Sequence, residues 1–407
     1  MLMDSVVKRI TGGRERAMPG PRSVYWLPFV LVAVLFTSCR GPDTAQLDTA
    51  IPAAAGSSSA GAGVSARTGD SGGTADSAET GAADDEGADV APAAFLKAGD
   101  GEGEANPIDA ARAYRYLEQI CALGPRQTGS KAMASQQELL KKHFEELGAK
   151  VEFQRFQMRH PRTGQATPVA NTIVRWHTDR KERILLCAHY DTRPQADNQR
   201  VPPRQRGTVF IGANDGGSGT ALLMELGHHI PNIKNTAVGV DFVFFDAEEF
   251  VFNLGQTIDR YFVGSEYFAR TYLTQPRDYR YRWGVLFDMV GDRDLQIYQE
   301  KNSMWWRDTR PLVKEIWATA KKLGVREFIP RRKHEIRDDH VPLRNIAKIP
   351  TCDLIDFDYP RYPKNEYWHT DKDTVDKCSG ESLAKVGWVA LTWLESVPAA
   401  DSQAAKE

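Results

Sequence analysis

The stretch Phe242-Val-Phe-Phe-Asp-Ala-Glu248-Glu249 combines a run of apolar, strand-forming residues with two adjacent carboxylates. A short apolar run that ends in acidic residues is typical of a buried parallel strand whose carboxyl end opens into a crevice. Because side chains alternate along a strand, two neighbouring glutamates share a role there only if the chain turns. We therefore expect one glutamate to bind a metal ion and the other to move protons. For such a pair taken alone, a solvated acidic pair at a strand end is the alternative.

The segments around this stretch alternate between helical and strand patterns. Helical spacing of apolar residues predicts helices at residues 107–122, 136–147, 219–230, 305–323 and 381–395. Short apolar runs predict strands at residues 151–156, 169–176, 183–190, 241–245, 283–290, 295–298 and 351–357. Strands that alternate with helices predict an α/β fold, a three-layer α/β/α sandwich with a mostly parallel central sheet.

Histidines and carboxylates recur where the carboxyl ends of these strands would lie. In chain order they are His189, Asp191, Asp215, Glu248, Glu249, Asp288 and His369. Histidine together with carboxylates is a ligand set of catalytic zinc, which takes three protein ligands and keeps one position open. Asp191 suits a hydrogen-bond partner that fixes the tautomer of His189. Each residue alone has a structural explanation, such as a capped core histidine, but their ordered recurrence favours a metal site.

Asp215 lies in a glycine-rich run, Gly212-Ala-Asn-Asp-Gly-Gly-Ser-Gly, just before a predicted helix. A phosphate cradle would also be rich in glycine. This run lacks the Lys-Ser/Thr pair of a P-loop and the spacing of a dinucleotide-binding motif. The run therefore favours a turn at a metal site over a phosphate site.

Five motifs in this chain occur in a fixed order: His189-x-Asp191, Gly-Ala-Asn-Asp215-x-x-Ser-Gly, Asp246-x-Glu248-Glu249, Asp288-Met-Val-Gly and Trp368-His369-Thr. In combination they resemble the superfamily of zinc aminopeptidases and glutaminyl cyclases. The similarity runs from about Pro107 to the C-terminal helix. It implies a zinc-exopeptidase-like α/β domain that acts on the N-termini of peptides or proteins.

The resemblance leaves two branches open. In the two-zinc aminopeptidases, two metal ions are held at the positions of His189, Asp215, Glu249, Asp288 and His369, with Asp215 bridging. The position of Glu248 is then the general base. In glutaminyl cyclases, one zinc is held at the positions of Asp215, Glu249 and His369. Glu248 would then move a proton from the substrate α-amine to the departing ammonia. Asp288 and an aspartate of an Asp-Asp-His-x-Pro motif would form the hydrogen-bond network that supports Glu248.

Two features resemble the cyclase branch. The chain contains Arg337-Asp338-Asp339-His340-Val-Pro342, in which we favour Asp338 over Asp339 as the supporting carboxylate, and Trp368 would wall a glutamine pocket. Where the animal cyclase pattern has a second tryptophan, Leu254 is the nearest residue. Replacements for that wall are Phe252, Tyr359 or Tyr362.

We predict a glutaminyl-peptide cyclotransferase with one zinc ion. A zinc aminopeptidase with two zinc ions is the main alternative, because both candidates for holding a second ion, His189 and Asp288, are present. A noncatalytic envelope protein that uses a degenerate site for binding is the third interpretation.

The first 39 residues have the pattern of an export signal. Basic residues precede an apolar stretch at residues 24–36, too short for a comfortable transmembrane helix. Thr37-Ser38-Cys39 then resembles a bacterial lipoprotein cleavage site, with Cys39 as the lipid-bearing first residue; a plain signal peptide or an uncleaved anchor is the alternative. Residues 40–105 are rich in Ala, Gly, Ser and Asp and predict a disordered tether. We therefore expect a catalytic domain at residues 106–400, anchored to a membrane of the cell envelope.

Composition excludes several other classes of protein. The 407 residues carry 52 basic and 54 acidic side chains, dispersed over the second half without a long run of one sign, so we expect no nucleic-acid partner. The four cysteines after Cys39 are widely spaced and lack a Cys-x-x-Cys pair, which excludes a zinc–thiolate site. We expect a monomer.

Overall fold

The computed structural model describes residues 105–235, 237–252 and 260–399. Three predicted features lie outside the described residues: the signal peptide with Cys39, the tether except for its last residue, and Leu254. Across the part of the chain that is described, no helix is both long and apolar enough to cross a membrane.

Within these residues, the chain forms eight strands and eight α-helices, and from β3 onwards helices separate most of the strands. The strands are β1 (Lys150–Arg159), β2 (Ala166–Trp176), β3 (Glu182–His189), β4 (Gly239–Phe245), β5 (Arg280–Asp288), β6 (Ile297–Gln299), β7 (Phe328–Arg332) and β8 (Thr351–Ile355). The helices are α1 (Ala110–Cys121), α2 (Lys131–Glu146), α3 (Gly219–Leu226), α4 (Val263–Thr274), α5 (Lys301–Trp305), α6 (Arg310–Leu323), α7 (His340–Asn345) and α8 (Gly380–Ser396).

Six strands form the central sheet, in the order β1-β2-β4-β3-β5-β8. The neighbours β4, β3, β5 and β8 pair in parallel. Strand β2 runs antiparallel to both β1 and β4, so it alone is reversed in this sheet. The mostly parallel sheet predicted from the sequence is therefore confirmed. Strands β6 and β7 form a separate parallel pair.

Alternate side chains of β3 pack into two different hydrophobic clusters. Ile184 and Leu186 belong to the larger cluster, together with residues of α1, α3 and α8. Leu185 and Cys187 belong to a second cluster, together with residues of α4 and α7. These four side chains are at most 1% exposed. Helices thus cover both faces of the sheet, as in the predicted α/β/α sandwich, and leave the strand ends open for a site.

Some element bounds differ from those predicted, and local chemistry explains the differences. The helix predicted at residues 305–323 is two helices, α5 and α6. Pro311 lies in the first turn of α6, where its fixed φ and missing N–H suit a helix start. Helix α2 begins earlier than predicted because the Ser130 side chain caps it, accepting a hydrogen bond from the Met133 N–H.

Three elements have no counterpart in the predictions: α4, α7 and β7. Helix α4 follows Phe262, which has a φ of 60°, and no side chain caps its N-terminus. Helix α7 has six residues and includes Pro342. Both helices therefore lack the signals on which a helix prediction depends. Helix α4 bears on the site, because the Phe262 N–H at its start donates to the Glu248 carbonyl at 2.8 Å.

Candidate active site

The carboxyl ends of β3, β4 and β5 open into one cavity of about 210 Å³. Eight of the predicted site residues line it: His189, Asp215, Glu248, Glu249, Asp288, Asp338, Trp368 and His369. Asp191 is fully buried beside it. Leu254 lies outside the described residues, so its predicted place in a substrate pocket stays a prediction.

Strand ends deliver the first of these residues. His189 is the last residue of β3 and Asp288 the last of β5. In the sheet, His189 stands beside Phe245, the last residue of β4. This register places the glutamate pair that follows β4 next to the histidine. The His189 Nε2 atom lies 3.2 Å from Asp288 Oδ1.

A left-handed residue turns both glutamates towards the cavity. Ala247, just after β4, has a φ of 57°, and its carbonyl accepts a hydrogen bond from the Val263 N–H at 3.1 Å. The alternation of side chains along the strand ends at this turn. Glu248 and Glu249 therefore line the same cavity, as a shared site requires. A non-glycine residue in this region costs on the order of 1–2 kcal/mol, so the surrounding packing must hold it.

Asp191 contacts the backbone of the glutamate pair. Its Oδ1 atom accepts a hydrogen bond from the Glu248 N–H at 3.0 Å, and its Oδ2 atom accepts one from the Glu249 N–H at 3.3 Å. The distance from Asp191 Oδ1 to His189 Nδ1 is 3.7 Å, longer than a hydrogen bond. The geometry therefore gives Asp191 the role of fixing the glutamates, and its role as the partner that fixes the tautomer of His189 stays a prediction.

A tight turn before α3 presents Asp215. The next residue, Gly216, has a φ of 80°, and a Cβ there would lie 2.7 Å from the Asp191 carbonyl oxygen, so the turn requires glycine. The Asp373 carboxylate accepts a hydrogen bond from the Asp215 N–H at 3.1 Å. The glycine-rich run is thus a turn that holds a carboxylate, with Asp373 as a support that the sequence did not reveal.

Asp215, Glu249 and His369 form one group of possible metal ligands. The His369 Nε2 atom lies 3.4 Å from Asp215 Oδ2 and 3.3 Å from Glu249 Oε2. Asp215 Oδ2 is buried and has no hydrogen-bond partner among the described residues, so these atoms face a common space rather than each other. One imidazole and two carboxylates are donors that catalytic zinc accepts. These residues therefore fit a zinc ion.

His189, Asp215 and Asp288 form a second group of possible ligands. The His189 Nε2 atom lies 3.2 Å from Asp215 Oδ1, whereas His369 faces the other oxygen of the same carboxylate. Asp215 thus belongs to both groups, with one carboxylate oxygen facing each histidine. This geometry offers places for one ion or for two.

Buried carboxylates give the cavity an excess of negative charge. Burial and the nearby Arg193 each lower the pKa of His369, but the carboxylates around it, Asp215 and Glu249 among them, raise it to about 9. Burial also raises the pKa of Asp288 to about 7, with the Asp338 carboxylate adding to the increase. Desolvated charges of one sign disfavour ionisation, and a divalent cation would offset them. The charges therefore fit a metal ion as well as the geometry does.

A buried arginine, missed in the sequence, supports the first ligand group from behind. Arg193 is 3% exposed and donates to Asp197 through Nε at 2.9 Å and Nη2 at 2.7 Å. Its backbone N–H donates to Glu249 Oε1 at 2.9 Å. Asp197 Oδ1 in turn lies 3.4 Å from His369 Nδ1, which leaves Nε2 facing the other ligands. In the sequence, the only indication of a role for Arg193 and Asp197 is their position in the loop directly after β3.

Aromatic side chains form an apolar wall beside the ligands. The Trp368 ring stacks on the His369 ring with centroids 3.8 Å apart, and Phe357 packs edge-on against Trp368 at 5.1 Å. Tyr261 and Phe262 complete the aromatic lining of the cavity. The replacements considered from the sequence, Phe252, Tyr359 and Tyr362, do not line it.

Of the two neighbouring aspartates in the Asp-Asp-His motif, the structure places Asp338 in the cavity. Asp339 is fully buried behind it and accepts a hydrogen bond from Ser265 Oγ at 2.5 Å. Burial raises the pKa of Glu248 well above its ordinary value; His189 opposes this increase and Asp338 adds to it. Asp338 thus acts on Glu248 through its charge.

Comparison with protein families finds one match to this site-bearing region. Residues 171–394 match the model described as Peptidase family M28, and they make up more than half of the 407-residue chain. A curated glutaminyl-peptide cyclotransferase of Bothrops jararaca is 24% identical over 235 residues, which cover 51% of this chain and 60% of that protein. The chain thus spans less than two thirds of the length of this relative.

Two solved structures resemble the whole described domain more closely. The Fimbriiglobus ruber glutaminyl cyclase is 38% identical, with a TM-score of 0.67, and the match covers 74% of this chain and 100% of that one. A Zn-dependent exopeptidase from Parabacteroides distasonis is 29% identical, with a TM-score of 0.65, covering 72% of this chain and 100% of that one.

Proposed function

This chain belongs to peptidase family M28, and we propose that it is a zinc-dependent glutaminyl-peptide cyclotransferase. In this proposal it acts on peptides or proteins that begin with glutamine. The α-amine nitrogen bonds to the carbonyl carbon of the side chain, the carbon–nitrogen bond of the carboxamide breaks, and ammonia leaves. The product is an N-terminal pyroglutamate. Similarity to proteins named for this activity supports the proposal.

The small cavity beside the ligands is the observation that carries the proposal. Its volume of about 210 Å³ is below the roughly 300–1,000 Å³ of typical small-molecule sites. Trp368, stacked on His369, places an apolar wall directly beside the first ligand group. Cyclisation takes place within one glutamine residue, whereas hydrolysis of the first peptide bond needs room for the next residue and an attacking water. A cavity of this size favours cyclisation.

Family membership and similarity to a Zn-dependent exopeptidase imply zinc as the cofactor. The proposal places one ion at Asp215, Glu249 and His369 and leaves His189 and Asp288 in contact with each other. When bound there, zinc supplies Lewis-acid polarisation of the carboxamide carbonyl. Glu248 is not among the ligands and remains available for proton transfer.

Glu248 has the position and the acidity that a proton carrier needs. Its side chain is 12% exposed towards the cavity, while burial and the Asp338 carboxylate keep its pKa well above the ordinary value despite the opposing effect of His189. A raised pKa is the direction in which enzymes tune a glutamate that takes up and returns a proton. Glu248 would take the proton from the α-amine and give it to the leaving nitrogen, with Asp288 and Asp338 as supporting groups.

The aminopeptidase alternative rests on one specific observation. His189, Asp215 and Asp288 form a complete second ligand group that shares Asp215 with the first. Two ions at these positions would suit the removal of N-terminal residues, with Glu248 as the general base for an attacking water. A noncatalytic binding protein is the remaining interpretation; it would bind zinc without converting either kind of peptide.

A single experiment separates these functions. Purified protein is incubated with peptides that begin with Gln and with matched peptides that begin with Leu, products are read by mass, and zinc is measured on the same sample. We expect loss of ammonia from the Gln peptides only, with about one zinc per chain. Removal of the first residue with about two zincs per chain would establish the aminopeptidase. Bound zinc without turnover of either peptide would favour the binding protein.

The proposed location is the cell envelope, with the catalytic domain acting as a monomer tethered to a membrane through a lipid on Cys39. The basic, apolar and Thr-Ser-Cys order at residues 8–39 supports it. We expect the full-length protein in the membrane fraction of an expressing bacterium, and Cys39→Ser to release it or leave its signal uncleaved. Equal membrane association of a processed Cys39→Ser protein would contradict the lipid anchor.

A further inference from the structure

We propose that Arg337 selects substrates in which an acidic residue follows the N-terminal glutamine. This inference rests on the proposed function and adds a substrate class to it. Among the described residues that line the cavity, only Tyr261 and Arg337 have exposed side chains. The other lining side chains are buried or half-buried. Tyr261 and Arg337 therefore mark the mouth of the cavity.

The direction of the substrate follows from the chemistry of the reaction. The reacting amine and carboxamide belong to the same glutamine, so both lie at the closed end of the cavity, near Glu248 and the metal ligands. The peptide bond to the second residue then points out of the mouth, because the cavity volume is only about 210 Å³. The side chain of the second residue must pass beside Arg337.

The charge of Arg337 is available for this contact. Its side chain forms no hydrogen bond or ion pair with any residue in the described part of the chain, although the exposed Glu335 is only two residues away. The other arginine of the lining, Arg193, is 3% exposed and already paired with Asp197 and Glu249. Arg337 is thus the cation of the lining that is left to bind a substrate carboxylate.

A second cation lies against the same wall. The Arg200 guanidinium carbon is 5.6 Å from the centre of the Trp368 ring and 5.5 Å from that of Phe357, and its side chain is exposed. The acidic residues of the lining are buried or half-buried in the cavity rather than exposed at its mouth. Among the described residues of the lining, the exposed charge is therefore positive and the buried charges are mostly negative, which favours an acidic second residue and disfavours a basic one.

The test compares three peptides that differ only in the second residue, Gln-Glu, Gln-Ala and Gln-Lys, by the ratios of their kcat/KM values. For the wild type we expect Gln-Glu to exceed Gln-Ala by roughly two- to fivefold, the range for one partly exposed ion pair, and this preference to fall as salt is added. Arg337→Glu should favour Gln-Lys over Gln-Glu, and Arg337→Ala should remove the preference.

Arg332→Glu is the matched control, because Arg332 is exposed at the end of β7 and does not line the cavity. We expect it to keep the wild-type order of peptides. Equal ratios in wild type and Arg337→Glu, with Gln peptides still cyclised, would overturn the role of Arg337 and leave the proposed function intact. An equal shift in both charge-reversed variants would assign the preference to the overall field and also overturn it. Absence of cyclisation in the wild type would remove the proposed function and this inference together.

Discussion

Glu248→Gln is expected to reduce kcat for a Gln-initiated peptide by about 10²- to 10⁴-fold, the usual contribution of a positioned proton carrier, while zinc remains bound. The substitution keeps the size of the side chain, and it leaves in place the hydrogen bond that the backbone N–H of residue 248 donates to Asp191. It removes only the group that accepts and returns a proton. Steady-state rates and zinc content on the same sample measure both effects.

Glu335→Gln provides the control for this loss. Glu335 is exposed and does not line the cavity, so the same chemical change there should leave kcat near the wild-type value for a peptide with a neutral second residue. A near-normal rate in Glu248→Gln would show that Glu248 is not the proton carrier. A protein that lost zinc together with activity would instead place Glu248 among the ligands.

His369→Ala is expected to abolish zinc binding and, with it, turnover. The His369 Nε2 atom is the one nitrogen donor of the first ligand group, and only two carboxylates would remain there. Asp197→Asn should have a smaller effect, because it leaves all three ligands in place and changes only a supporting carboxylate, which faces Nδ1 of the same ring and pairs with Arg193. Loss of such an outer partner typically weakens metal affinity by about 10- to 100-fold. Titration with a competing chelator measures both affinities without relying on activity.

His143→Ala is a suitable comparison, because His143 is a half-buried histidine of α2 whose Nε2–H donates to the Met224 carbonyl at 2.9 Å. The zinc affinity of the His143→Ala protein should match that of the wild type. Zinc retained at wild-type affinity in His369→Ala would show that the ion lies at His189, Asp215 and Asp288 instead. An Asp197→Asn protein with unchanged affinity would leave Asp197 without a role in holding the ring.

The sequence predicted the fold class and the strand-end residues of the cavity because their signals are local, whereas Asp338 and Trp368 were predicted from the resemblance to a family. An apolar run that ends in histidine or aspartate reveals both a buried strand and the polar group at its end, as at His189 and Asp288. Parallel strands then bring these ends to one edge without further information. The sequence thus predicts that the ends of β3 and β4 lie near each other. It does not reveal the strand register that places His189 directly beside Phe245.

The supporting residues could not be predicted because their roles depend on contacts between distant parts of the chain. Asp373 binds the backbone of Asp215, and nothing near Asp373 in the sequence marks this. Arg193 and Asp197 are residue types that are usually exposed, so their burial becomes visible only in the fold. Metal sites in general predict His189 as the partner of Asp191, whereas the turn at Ala247 brings two backbone N–H groups closer to it.

The first ligand group has a consequence for when the protein acquires its metal. Asp215 and His369 are more than 150 residues apart in the sequence, and His369 lies in a loop after the last strand of the sheet. Such a long-range contact closes only when nearly the whole domain has folded. Metal uptake should therefore follow synthesis of the complete chain, and global unfolding should release the metal. The zinc supply of the compartment where folding finishes would then decide which metal the enzyme carries.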